Sequence, residues 1–188
     1  ISSMVKANLF LIGAPKCGTT SIAENLAHHP NIFMSNPKEP YYFEYDIGRG
    51  IRTLKDYQKL FKDVNEKEIV VAEASTGYLY SECAVDEIIK YNCDAKFIVI
   101  LRSPYEMAMS LYTHACRGGY ENLNSFDEAW FAQPERRTLK NIPDGCVSYR
   151  LLMYRDRCAV GSQLNRLFSK VEMAKIKVLF FDDLRDDS

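Results

Sequence analysis

Residues 13–21, Gly-Ala-Pro-Lys-Cys-Gly-Thr-Thr-Ser, lie between an apolar run and an amphipathic one. A loop that opens into a helix N-terminus aims free backbone N–H groups and the positive end of the helix dipole at one spot, which suits a phosphate or sulfate. Gly13 and Gly18 allow close approach, Thr19 and Thr20 add hydroxyls, and Lys16 adds a mobile positive charge. The Walker A loop spaces its glycines the same way but places lysine directly after the second one; here Thr19 stands there and Lys16 precedes Gly18 by two. ATP with magnesium is therefore disfavoured, and a P-loop kinase stays as an alternative. A glycine pair alone would also fit a plain βα turn.

Gly13–Ser21 resembles the 5′-phosphosulfate loop of the sulfotransferases that use 3′-phosphoadenosine 5′-phosphosulfate (PAPS). A second stretch, Phe97-Ile-Val-Ile-Leu-Arg102-Ser-Pro-Tyr-Glu-Met-Ala-Met-Ser110, is similar to their other signature, a strand ending in arginine with a serine eight residues later. The resemblance implies that Pro15, Lys16, Cys17, Gly18, Thr19, Thr20 and Ser21 bind the donor's phosphosulfate end, that Arg102 and Ser110 bind its phosphate, and that PAP is the product. The chemistry agrees. A guanidinium at the carboxyl end of a strand can fork onto phosphate oxygens, and a serine under two turns into the next helix can add its hydroxyl to the same group.

Asn36-Pro-Lys-Glu39-Pro-Tyr-Tyr-Phe43 resembles the E-x-x-F-F type segment of the heparan-sulfate-like and bacterial branch of that family, where the glutamate is the general base. Carried over, Glu39 would take the acceptor hydroxyl's proton as its oxygen attacks sulfur in line, and Lys16 would neutralise charge growing on the bridging oxygen as PAP leaves. Ala72-Glu73-Ala74-Ser75-Thr76-Gly77-Tyr78 is similar to the family's E-K-[ST]-P-x-Y segment, with Ala74 in place of the lysine and Thr76 in place of the proline. That departure argues against a polysulfated glycan acceptor. Lys38, Tyr41, Glu73, Tyr78 and His114 are expected to line the acceptor site, with His114 a weaker choice of base. Cys17, beside Lys16 at a helix N-terminus, sits where a thiol pKa falls, although the chemistry asks for neither a thiol nor a metal. Gly161–Leu164 and Val178–Leu184 are similar to the family's late helix and its strand with an acidic turn. Relatives continue into a helical segment and a basic loop that complete the 3′-phosphate and adenosine site. Residues 1–188 are thus expected to form one sulfotransferase domain short of its last segment.

These residues need a scaffold, and the apolar pattern supplies one. Asn8–Ile12, Ile69–Glu73, Lys96–Leu101 and Lys175–Phe181 read as buried strands; helices are expected over Thr19–His28, Ala84–Tyr91, Pro104–Cys116, Ser125–Ala132, Val147–Arg157 and Gln163–Val171. Strands joined through helices predict an α/β, P-loop-type three-layer fold with a central parallel sheet.

Composition narrows the function. Lys+Arg 24 against Asp+Glu 25 gives a net charge of −1, which excludes a nucleic-acid binder relying on bulk positive charge and speaks against a polyanionic acceptor. No apolar run approaches the roughly 20 residues of a membrane span. Six cysteines without a C-x-x-C pair suggest reduced thiols and a cytoplasmic protein, with a lumenal domain freed of its membrane anchor as the alternative. The leading expectation is sulfuryl transfer from PAPS to a hydroxyl, or an amine, of a small-molecule or glycan acceptor. A non-catalytic nucleotide-binding module is a further alternative, and oligomeric state leaves no mark in the sequence.

Overall fold

The computed structural model describes residues 5–186. Five parallel strands, β1 (Leu9–Gly13), β2 (Ile32–Met34), β3 (Val70–Ala74), β4 (Lys96–Leu101) and β5 (Ile176–Phe180), form one sheet in the order β2-β3-β1-β4-β5. The period of two along β1 sorts its side chains between two faces. Leu11 packs with Ala23 and Ala74 on the side of α1 (Thr19–Ala27), while Phe10 and Ile12 join the larger core on the other side. That core takes in Met107, Ala108, Leu111 and Ala115 of α4 (Pro104–Arg117) and Val85 and Ile88 of α3 (Ala84–Tyr91). The α/β, three-layer parallel arrangement expected from the sequence is therefore present.

Three strands or α-helices before β5 escaped the sequence pattern, among them a short helix at Gln133–Arg137. β2 is too short to show a period, and α2 (Leu54–Lys59) is signalled by its cap alone, where Thr53 Oγ1 accepts from the Asp56 amide at 3.1 Å. The chain beyond α4 also differs in detail. Short helices α5 (Phe126–Phe131) and α6 (Gln133–Arg137) lead to a single helix predicted over 147–157 that is instead broken. A 3₁₀ turn covers Tyr149–Leu152, Met153 leaves helical geometry, and α7 (Tyr154–Cys158) follows. The carbonyls that a continuous helix would use are taken by side chains. Arg157 Nη1 donates to Leu151 O at 2.9 Å, and Arg136 Nη1 lies 3.5 Å from Leu152 O. The next helix, α8 (Val160–Lys170), starts three residues earlier than expected. After β5, an immediate helix, α9 (Phe181–Asp186), stands where an acidic turn was anticipated.

Arg136 is fully buried and forks onto Glu121, with Nη1 to Oε2 at 2.8 Å and Nη2 to Oε1 at 2.7 Å, and Tyr154 donates to the same carboxylate at 2.7 Å. This cluster joins α6, α7 and the turn after α4. Removing one partner of a buried ion pair strands the other charge. Glu121→Ala is expected to lower unfolding free energy by about 3–5 kcal/mol in urea titration, and a loss below 1 kcal/mol would deny the pair its structural role.

Candidate active site

The chain builds to one side of β1 through β2 and β3, then passes to the other side for β4 and β5. The crevice beyond the carboxyl end of β1 is therefore a topological switch point, where α/β sheets bind ligands. Three connections meet there. Ala14 N donates to Ile100 O of β4 at 2.7 Å, Ser75 N to Leu11 O at 3.0 Å and Leu79 N to Ile12 O at 2.8 Å. A cavity of about 470 Å³ opens at this point.

Pro15, Lys16, Gly18, Thr19 and Thr20 form its floor. Lys16 and Gly18 have positive φ, 64° and 77°, which turns the loop into the N-terminus of α1. Gly18 is needed twice, because a Cβ there would also stand 2.8 Å from the Phe181 ring. Arg102, at the end of β4, and Ser110, on α4, face the same cavity. Arg102 donates from Nη1 to Lys16 O at 3.2 Å, pairs through Nε with Glu106 at 2.8 Å and lies over the Phe181 ring. Cys17 departs from expectation. Its side chain turns into the core toward Met107, and burial pushes its thiol up to about 12 rather than down, so only its backbone belongs to the loop. Ser21 sits one turn into α1, exposed and outside the cavity wall.

Glu39, Lys38 and Tyr41 line the same cavity. The segment that carries them is laced onto β3 and its extension. Ser35 N donates to Ala72 O and Glu39 N to Ala74 O, both at 2.9 Å, and Tyr41 N donates to Ser75 Oγ at 3.1 Å. Glu39 and Tyr41 hold φ of 61° and 51°, a conformation costly for side-chain-bearing residues, and those bonds impose it. Thr76 Oγ1 donates to Glu39 Oε1 at 2.9 Å, and the Tyr41 hydroxyl is a second hydrogen-bond partner of the same carboxylate, so the Glu39 side chain is held in the cavity wall. Lys38 Nζ donates to Thr20 Oγ1 at 2.7 Å, and burial lowers its pKa. His114 completes the wall, its pKa lowered first by burial and then by Lys16 and Arg157, so it is neutral near pH 7.

Glu73 and Tyr78, expected to line the acceptor site, lie beneath it in the core and outside the cavity wall. The strand period sends Glu73 to the same face as Val71, away from α1. Its carboxyl accepts from Ser75 Oγ at 2.5 Å, Tyr57 OH at 2.9 Å and Tyr78 OH at 3.2 Å, and burial raises its pKa to about 7. Arg49, Thr76, Tyr120, Leu151, Arg157 and Phe181 line the cavity without having been singled out as ligand contacts. Isolated arginines carry no spacing signal, and Arg157 is reached only because the expected helix breaks at Met153.

Together these residues make a polar cavity with five Lys or Arg side chains and a single carboxylate, Glu39, in its wall. A backbone cradle for an anion in one cavity with a carboxylate defines a class, the P-loop-type group transferases that move an anionic group onto an acceptor. Residues 6–150 match the family described as Sulfotransferase domain, and the chain belongs to that family. A sulfotransferase from Alicyclobacillus acidocaldarius superposes with a TM-score of 0.86 at 29% identity, covering 97% of this chain and 76% of that one. The membrane-associated sulfotransferase kil1 of Dictyostelium discoideum is 31% identical over 107 residues, 56% of this chain and 22% of that protein. Human heparan sulfate glucosamine 3-O-sulfotransferase 5 is 31% identical over 110 residues, 57% of this chain and 30% of that protein. The matches thus span under a third of those two relatives.

Because the folded pKa of Glu73 lies above its unfolded value of 4.5, the folded state binds the extra proton, and stability falls as pH rises from about 4.5 to about 7. Glu73→Gln removes that contribution. Urea unfolding at pH 5 and pH 7 should show a smaller decline for the variant than for the wild type, and equal declines would contradict the burial-driven shift.

Proposed function

We propose that the protein transfers a sulfuryl group from PAPS to a hydroxyl of a small-molecule or glycan acceptor, with Glu39 as general base. The observation that carries this reading is that Glu39, the loop residues Pro15, Lys16, Gly18, Thr19 and Thr20, and Arg102 and Ser110 line one cavity. The backbone amides of the loop and the start of α1 bind the donor's phosphosulfate, and Arg102 and Ser110 bind its 3′-phosphate. PAPS supplies an activated sulfuryl group with PAP as leaving group. Glu39, held by Thr76, accepts the proton of the attacking hydroxyl, and Lys16 neutralises the charge that grows at the departing phosphate. The kinase alternative loses ground because Thr19 occupies the place of the Walker lysine. All six cysteines are unpaired, which supports a reducing compartment such as the cytoplasm. No helix among the described residues is long and apolar enough to cross a membrane.

PAP is expected to raise the melting temperature where ATP with magnesium does not; the reverse would favour the kinase. Lys16→Ala and Glu39→Gln should each cut sulfuryl transfer by roughly 10²-fold or more, and Glu39→Gln should leave PAP affinity within twofold of wild type. Arg102→Ala should weaken PAP binding, measured by calorimetry. Undiminished transfer by Glu39→Gln would remove that residue from the base role.

A further inference from the structure

The cations of the cavity differ in how their charge is met. Arg102 pairs with Glu106, and Arg49 pairs through Nε with Glu44 at 2.5 Å while stacking 3.7 Å from the Tyr41 ring. Lys16 stands over the phosphate loop. Lys16, Lys38 and Arg157 form no ion pair among the described residues, and of these three only Arg157 is buried, at 6% exposed. Its Nη1 is spent on Leu151 O, Arg49 repels it, and the one carboxylate that feels its charge, Glu44, is already paired with Arg49. A buried guanidinium with no carboxylate is costly unless a ligand supplies the opposite charge. The surroundings are shaped to keep this pair in place. A Cβ on Gly77 would fall 1.9 Å from Glu44 Oε2 and 2.6 Å from Arg49 Nη2, so glycine there lets the Glu44–Arg49 pair sit against the wall.

The loop amides, Lys16, Arg102 and Ser110 already provide for the anionic groups of the donor. Arg49 and Arg157 stand apart from that set, with Tyr41, Tyr120 and Leu151 around them, and carry one guanidinium more than Glu44 can balance. We propose that Arg157 and Arg49 form an anion subsite for the acceptor, so that the hydroxyl compound sulfated here itself carries one compact anionic group, a carboxylate, sulfate ester or phosphate ester. The inference rests on the sulfotransferase reading above for the assignment of the two ends of the cavity. A single unmatched charge fits one such group rather than a polyanion, in keeping with the near-neutral net charge of the chain. Neutral His114 beside Arg157 adds hydrogen-bonding capacity without a further charge.

Two measurements test it on the purified protein. In the first, inorganic sulfate is titrated calorimetrically into protein saturated with PAP, with sodium chloride at equal ionic strength as the control. One sulfate per chain is expected, with affinity at least tenfold weaker in Arg157→Gln and PAP affinity within twofold of wild type. In the second, 4-nitrophenyl β-D-glucuronide and its neutral glucoside twin are compared as acceptors; the glucuronide should be favoured at least tenfold in kcat/KM, and the preference should vanish in Arg157→Gln. Should Arg157→Gln fail to fold, Arg49→Gln combined with Glu44→Gln, which leaves no buried charge stranded, is read in the same way. Sulfate binding that the substitutions leave unchanged, a glucoside that serves equally well, or a loss of PAP affinity matching the loss of sulfate would each overturn the subsite. If PAP does not bind at all, the donor assignment falls, and the sulfate titration without PAP still decides whether Arg157 binds an anion.

Discussion

The geometry of the cavity depends on a carboxyl group that never reaches it. Glu73 is buried near the carboxyl end of β3, and three hydroxyls supply its hydrogen bonds. Two of those hydroxyls face both ways: Ser75 Oγ also accepts from the Tyr41 amide, and Tyr78 OH accepts from the Phe43 amide at 3.4 Å. The segment bearing Glu39 is thereby tied to β3 through side chains as well as backbone. Around this polar centre Phe10, Phe43, Tyr57 and Tyr91 pack edge to face, excluding water and making the bonds obligatory. The left-handed residues Glu39 and Tyr41 persist because this frame over-determines them.

Much of the fold was legible because parallel strands buried on both faces are written as unbroken apolar runs. Lys96–Leu101 was placed to the residue for that reason, and Ala84–Tyr91 by its one-sided apolar stripe. The failures share a cause, namely that the deciding interaction is remote in sequence. The break at Met153 follows from Arg136 and Arg157 reaching backbone carbonyls, and β2 exists because β3 offers it an edge. At the site, the loop and the arginine after β4 were visible as motifs, since backbone geometry at a strand end leaves a compositional trace. Glu73 and Tyr78, expected to line the acceptor site, lie behind its wall instead, Glu73 because a one-residue step along a strand exchanges the two faces. Arg49 and Arg157 had no pattern to betray them.

The charge distribution resolves an apparent tension. A chain with a net charge of −1 nonetheless gathers five cationic side chains in one cavity, while the acidic residues serve elsewhere as partners, Glu106 for Arg102, Glu44 for Arg49 and Glu121 for Arg136. Near neutrality overall and a strongly positive interior surface are compatible when the carboxylates stand behind the cations rather than among them. Such a field draws small anions into the crevice without making the whole surface sticky toward polyanions.

Burial of Cys17 has a practical side. Its sulfur lies in the middle of the anion-binding loop yet is sealed from solvent and held as a neutral thiol, so alkylating reagents meet Cys93 and Cys116, both exposed, first. Those two positions lie off the cavity wall, at the end of α3 and on α4. The native chain therefore carries its own attachment points for fluorescent or spin labels, and a reporter placed there leaves the loop chemically intact.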